Sequence, residues 1–452
     1  MSKVFKRDFF NYGGMFYFYF FTWAITFAFL PIWLKDNAHL NEVQSGLIFS
    51  GISLAALCYH PFFGYIQDKL GYKKNLFAII SGAMIFFGVF FNWIFIPLLE
   101  YNFWLGLFVC SFYMSLCLYG GVGVVESYIE RVSRSNGFEY GHVRLFGSIA
   151  GATASFVGGI LFLQNPESIF WAASISGAIL CVLLYLAPVK KDVIEKTKTN
   201  NAVITKNDVF KILKLKDFWF FALIIVGTAA IYDVFDQQFP NYYVTFFDTK
   251  ANGIDTFSKL CAAQTAIEAI LMIFAPALVN KIGAKKGLLL FGVLTFIRIA
   301  GSAIFTSITM LSIFRLIAAF EMPLMLVSVM KYITQVFDVR LSASVYLLGF
   351  NLAKQLAIVI FSSIAGGMYL NYGFQNTYIM LGSAVLIITF ISIFTLKNIK
   401  KDKVMINKLF YTSIIPISSS KQHDVSLKYF FNKTSFYFEL PAPKMNVFKR
   451  KG

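Results

Sequence analysis

The chain has 452 residues, of which 58% are hydrophobic and only 14% charged, where a soluble domain carries about a quarter charged residues. That balance excludes a soluble enzyme. The formal charge of +17 reads as lysine and arginine gathered at cytoplasmic helix ends rather than as a nucleic-acid surface.

Apolar runs of about 20 residues recur from end to end, each long enough to cross a hydrocarbon core of about 30 Å as a helix. The sequence therefore reads as an all-α integral membrane protein. Helices are expected at 8–34, 43–67, 75–99, 103–128, 144–163 and 168–188, and again at 218–247, 257–279, 287–306, 309–335, 342–369 and 375–396. "MSKVFKRDFF" enters the first run without a small-residue cleavage site, so that helix is expected to be retained. The connections "KVFKRD", "QDKLGYKK", "ERVSRSNGFEYGHVR" and "NKIGAKK" are basic, and alternate with the short or acidic "KDNAHLNE", "EYN", "NPES" and "DTKANGID". Under the positive-inside rule this gives twelve crossings with both termini in the cytoplasm. Trp33, Trp104 and Trp219 fall near helix ends, as interfacial anchors would.

The chain divides into an N-terminal six-helix bundle (1–188), a lysine-rich linker (189–217), a C-terminal six-helix bundle (218–396) and a basic tail (397–452). The bundles look related. "DKLGYKK" (68–74) follows the second helix as "NKIGAKK" (280–286) follows the eighth, and "FEYGHVRLFG" (138–147) follows the fourth as "FDVRLSAS" (337–344) follows the tenth. Two pseudo-symmetric bundles are the arrangement of transporters built from parallel repeats. The "NKT" at 432–434 matches a glycosylation sequon, on the side where no glycosylation would occur.

Within the helices stand five carboxylates, Glu126, Asp233, Asp236, Glu268 and Glu321, and four cations, Arg144, Arg298, Arg315 and Lys354. Charges at membrane depth usually face a cavity, pair, and mark a substrate or ion path. The surplus acid points to proton carriage, because an unpaired carboxylate in a low dielectric tends to hold a proton. Asp233 and Asp236 share a helix face and need separate partners, for which Lys354 and Arg315 are available. Pairs that merely lock helices together remain the alternative. Pro323, two residues after Glu321 in "AAFEMPLML", frees a backbone carbonyl near residue 319, a local device of transport helices or an incidental kink.

No energy-coupling domain is evident. "GAKKG" lacks the spacing of a P-loop, and "YGGVGVVE" within a helix reads as a close-packing stretch rather than a nucleotide turn. The five cysteines read as packing residues without metal-ligand spacing, and His39, His60, His142 and His423 do not cluster. The expectation is therefore no catalytic residue, no metal and no cofactor, with a proton gradient as the energy source.

The strings "YDVFDQQF", "GYIQDKLGYKK", "VESYIERVSRSNGFEYGHVRLFG", "FEMPLMLVSVMKYIT" and "LGFNLAKQLA" resemble the lactose/raffinose/sucrose permease family, the oligosaccharide–proton symporters of the major facilitator superfamily. The likeness runs from about residue 8 to 396. It implies the major facilitator fold and a site in which Glu126 and Arg144 pair to grip sugar hydroxyls, Asp233 pairs with Lys354 beside Gln355, and Asp236 faces Arg315. By the same resemblance Glu321 carries the proton, Arg298 helps discharge it, and Tyr232 sits among these groups.

Three positions depart from the family pattern. The aromatic that stacks under the sugar is Gly151 here, which either removes a platform at a cost of about 1 kcal/mol or serves a small-xxx-small contact in "GSIAG". The coupling histidine of lactose permease is Ala318, and its sugar-site glutamate aligns with Thr265 while Glu268 stands about 4.5 Å further along the helix on roughly the same face. The resemblance implies a sugar substrate, a galactoside or sucrose, moved with a proton across the inner membrane of a bacterium. It also implies contact with lipid, no nucleic acid, and function as a monomer. An uncoupled sugar facilitator is the nearest alternative and a non-transporting sugar sensor a more distant one.

Overall fold

A computed structural model describes residues 3–70, 74–136, 140–187, 211–338 and 341–398. In hydrocarbon every backbone N–H and C=O must be satisfied inside the segment, and among the described residues the chain is helical with no strand. The spans are α1 (Lys3–Asp36), α2 (Glu42–Leu70), α3 (Asn75–Ile85 with Phe87–Tyr101), α4 (Phe103–Val132), α5 (Tyr140–Gln164), α6 (Ser168–Leu186), α7 (Lys216–Val244), α8 (Lys250–Ile282), α9 (Ala284–Ile304), α10 (Ile308–Val336), α11 (342–372) and α12 (374–395). Ten helices are long and apolar enough to cross a membrane; the bent α3 is an eleventh, and the 50-residue run to Thr395 counts twice because it breaks at Gly373. Gly373 has φ of 78° and Gly283, between α8 and α9, has φ of 92°. A side chain at either position would be strained. The expected linker falls largely, and the tail almost wholly, outside the described residues, as does the sequon.

Local sequence sets the helix starts. The Asn102 side chain accepts from the N–H of Trp104 and Leu105 to open α4, Thr249 from Asn252 to open α8, and Ser307 from Met310 to open α10. Asn41 and Gln44 cap each other reciprocally at the start of α2. The far ends are closed from elsewhere. Lys74 donates to the Leu184 and Ala187 carbonyls at the end of α6, and Lys285 donates to those of Ile393 and Leu396, both at 2.7 Å, at the end of α12. The same device thus serves both halves of the chain.

Two features were not expected from the sequence. The two pieces of α3 meet at 46° across Phe86, a bend with no proline at the break. Four helices loosen into π-helical turns, at Phe90–Phe95, Ser115–Tyr119, Ile225–Ala230 and Tyr346–Leu352. Three of them stand within two turns before Glu126, Asp233 and Lys354. Such turns rotate the residues that follow and recur at functional sites.

One apolar core draws mainly on residues 12–187 and two more on residues 212–396. Phe91 and Phe170 stack at 3.9 Å. Trp33 is fully buried against Phe91, Phe95 and Phe170 and is not an interfacial anchor; Trp104 and Trp219 remain exposed. Aromatic packing wins over the interface because α1 extends beyond the expected boundary. All five cysteines are free, with Cys110, Cys117 and Cys261 buried and Cys58 exposed rather than packed.

The two halves meet at the end remote from the N-terminus. Asn241 donates to the Pro31 carbonyl at 3.1 Å, Ser50 and Ser363 share a hydrogen bond of 2.8 Å, and Lys250 pairs with Asp36. Gly366 of α11 lies so close to α2 that a side chain there would meet the Glu42 carbonyl oxygen at 2.7 Å.

Candidate functional site

Charged side chains collect within the bundle on α4, α5, α7, α8, α9, α10 and α11. Asp233 and Asp236 follow the π turn of α7 and point from one face. Lys354 Nζ lies 2.8 Å from Asp233 Oδ2. Asp236 Oδ1 accepts from two guanidinium groups at once, Arg298 at 2.6 Å and Arg315 at 2.7 Å. Arg298 also places its Nε 2.9 Å from Glu321 Oε2. That approach is an ion pair whose angle falls outside hydrogen-bonding geometry, so both Glu321 oxygens lack a hydrogen-bond donor. Arg298 and Glu321 are both at 0% exposure. The Arg298 guanidinium lies 4.3 Å from the Tyr232 ring centre and 4.8 Å from that of Phe235, which sheathe its faces.

On the other side, Arg144 stands 3.6 Å from Glu126, and both keep substantial exposure, 50% and 33%. Gly123, one turn before Glu126, is exposed, with no atom within 4 Å of where its Cβ would be. Charged groups with this exposure in the middle of an apolar bundle border a solvent-filled cavity. The structure thus brings together Glu126 with Arg144, Asp233 with Lys354, and Asp236, Arg298, Arg315, Glu321 and Tyr232. Gln355 is buried next to Lys354 with its Oε1 unbonded. Glu268 has no ion pair within reach among the described residues, though it feels Arg144 and Arg315 electrostatically. Gly151 packs against Thr265, whose methyl would lie 2.9 Å from an added Cβ. Ala318 is buried one turn before Glu321.

Asp233 and Asp236 meet the separate partners expected for them, Lys354 and Arg315, and these groups with Arg298 all lie on α7, α9, α10 and α11, while Glu126 and Arg144 lie on α4 and α5. Each of these pairs closes inside its own half. Arg298, expected beside Glu321, contacts Asp236 as well. Sequence reasoning passed over the aromatics beside these charges. Phe350 lies 5.6 Å from Lys354 Nζ and stacks on Tyr346, which feels Glu126 and Arg144. Among 53 phenylalanines and 23 tyrosines, only the spacing of Tyr346 and Phe350 from Lys354 could have singled them out. Among the described residues no group of three His, Cys, Asp or Glu side chains could hold a metal ion.

Twelve crossings around a cavity lined at mid-depth by ion pairs define a secondary transporter of the major facilitator type. The nucleoside transporter NupG superposes with a TM-score of 0.75 over 86% of this chain and 99% of that one, at 13% identity. The chain is 43% identical to the raffinose permease of Escherichia coli (87% of this chain, 93% of that permease) and 42% identical to the melibiose permease of Enterobacter cloacae (86% and 93%). The LacY proton/sugar symporter family model matches residues 1–409, and the chain belongs to that family. It is a multi-pass membrane permease for sugar and protons, not an enzyme.

Proposed function

We propose that the protein carries a galactoside of the raffinose or melibiose kind, with a proton, across the inner membrane of a bacterium by rocking of two bundles, 1–188 and 218–396, about a central site. Glu126, Arg144, Asp233, Glu268, Lys354 and Gln355 bind the sugar, and Gly151 beside them lets Thr265 of α8 pack close to α5. Glu321, Arg298, Asp236, Arg315 and Tyr232 handle the proton, which is the coupling ion and makes a further cofactor unnecessary. With both termini in the cytoplasm the joined end of the bundle is external, so the conformation described is open inward. A single chain holds every one of these residues, which favours a functional monomer surrounded by lipid.

The observation that carries the reading is the Arg298 guanidinium held between Asp236 and Glu321 at zero exposure. A proton on Glu321 removes one of two negative charges competing for Arg298 and leaves Arg298 to Asp236. Asp236 and Asp233 stand on one helix face, so the event reaches the sugar-binding Lys354 through α7. The test is Glu321→Gln, read in membrane vesicles with raffinose and melibiose. Proton-driven accumulation is expected to vanish while exchange of sugar across the membrane continues. Accumulation at the wild-type level would remove Glu321 from the coupling path.

A further inference from the structure

A pyranoside presents hydroxyls at its rim and C–H groups on its faces, and sites of this kind combine a few polar groups with a mainly apolar and aromatic lining. The ion pairs account for the rim alone. On α1, Phe20 lies against α5, its ring 3.4 Å from where a Cβ on Gly147 would be. Phe27 meets Tyr119 of α4 edge-on, with ring centres 5.3 Å apart at 82°. Trp23 falls between these two anchors and on the same stripe, about 4.5 Å beyond Phe20 and about 6 Å short of Phe27 along the helix. The stripe of Phe20, Trp23 and Phe27 therefore looks inward, between α4 and α5.

The two neighbouring helices fix what stands beside the indole. Consecutive crossings alternate in direction, so α5 runs parallel to α1 and α4 antiparallel. Stepping three residues along α5 from Gly147 and four along α4 from Tyr119 puts Trp23 level with residues 150–151 and 123. Both Gly151 and Gly123 lack a side chain. At Gly123 nothing lies within 4 Å of the missing Cβ, whereas at Gly151 the Thr265 methyl of α8 stands 2.9 Å from it and fills the space, so the open position is the one on α4. Trp23 itself is half-buried, backed by Phe27 at 4.9 Å and 51°. Glu126 stands one turn from Gly123 on α4, and Arg144 two turns from Gly151 on α5. A half-buried indole thus borders an open space at the edge of the Glu126–Arg144 pair.

We propose that Trp23, backed by Phe27 and Tyr119, is the aromatic platform that covers a C–H face of the bound sugar, and so sets affinity and specificity for it. The platform stands on α1, level with the open position at Gly123, and it turns a pyranose ring edge-on to the Glu126–Arg144 pair. Because α1 belongs to the N-terminal half, the sugar is held there by its face as well as by its hydroxyls.

The inference rests on the sugar-transport reading. Its test is Trp23→Leu, which keeps apolar bulk without a ring face, beside Trp23→Phe, which keeps a smaller face. Raffinose and melibiose exchange is measured in vesicles, with binding to the purified full chain. Ring stacking of this kind is worth up to about 1.5 kcal/mol, so Trp23→Leu is expected to raise KM and Kd about tenfold with maximal rate and the proton-to-sugar ratio kept. Trp23→Phe is expected to recover most of the loss, and the sugar-induced change in tryptophan emission is expected to fall in both variants. Wild-type KM in Trp23→Leu, or equal loss in both variants, overturns the platform and leaves the transport reading intact. Failure of the wild-type protein to bind either sugar overturns that reading and the platform with it.

Discussion

The shared position of Arg298 makes a prediction that a set of separate pairs would not. Arg298→Gln removes the only cation in contact with Glu321 among the described residues and one of the two there on Asp236, and it strips the guanidinium from between Tyr232 and Phe235. Breaking a buried pair so that one charge is left alone costs about 3–5 kcal/mol, and the lost cation–π contacts add roughly 0.5–2 kcal/mol. Arg315→Gln removes one of two donors on Asp236 and a looser contact, 5.6 Å, to Phe239. Asp236 keeps Arg298, so the expected loss is that of one charge-assisted hydrogen bond, about 1.5–3 kcal/mol. Thermal unfolding of the purified variants in detergent should therefore drop further for Arg298→Gln than for Arg315→Gln. Adding Glu321→Gln to Arg298→Gln removes the stranded carboxylate and should restore part of the midpoint, whereas the same addition to Arg315→Gln should restore little. Equal destabilisation by the two arginine substitutions, or no rescue by Glu321→Gln, would refute the bridging arrangement.

Lys250→Glu sets a like charge against Asp36 where the halves meet. The pair is partly exposed, so a shift toward the open external end of roughly threefold to tenfold is expected, read as faster alkylation of Ser363→Cys by an impermeant maleimide. An unchanged rate would mean that the pair does not bear on closure. Lys285→Met leaves the Ile393 and Leu396 carbonyls without their cap and should lower stability by about 1 kcal/mol, with sugar KM unaltered; a raised KM would tie the end of α12 to the site.

Much of this site is legible in the sequence because charge is so costly in a bilayer that each intramembrane Asp, Glu, Arg and Lys stands out against an apolar background. Asp233–Lys354 and Glu126–Arg144 follow from that scarcity together with family likeness. What stayed hidden has no such contrast. Trp23 is one aromatic among many, and lipid-facing helices carry the same residues as cavity-facing ones, as exposed Trp93 and Phe108 illustrate. The π turns before Glu126, Asp233 and Lys354 leave no mark in composition, since a single changed hydrogen-bond register needs no special residue. The fold carried the same contrast. Gly283 and Gly373 punctuate the C-terminal half where glycine is required, whereas the bend at Phe86 depends on how α3 packs against α6, with Gly88 seated on Trp171.

The pairs Glu126–Arg144, Asp233–Lys354, Asp236–Arg298, Asp236–Arg315 and Glu321–Arg298 each close within one half, so rocking the halves breaks none of these five. Between the halves the influence of these charges is electrostatic and longer in range, as of Arg144 on Glu268, of Glu126 and Arg144 on Tyr346, and of Asp233 on Tyr119. On the proposed reading, a sugar seated on Trp23 and hydrogen-bonded to Glu126 and Arg144 on one side and to Asp233 and Lys354 on the other bridges the two halves. Its binding energy then differs between a state with both sides in reach and one with a single side in reach, and that difference is what a ligand needs to shift a two-state equilibrium. The proton acts at a different place. It changes the charge balance around Arg298, inside the C-terminal half alone, and reaches the gap only through α7. On the proposed reading, coupling therefore runs through one helix face, from Asp236 to Asp233, and the sugar closes the circuit between the bundles.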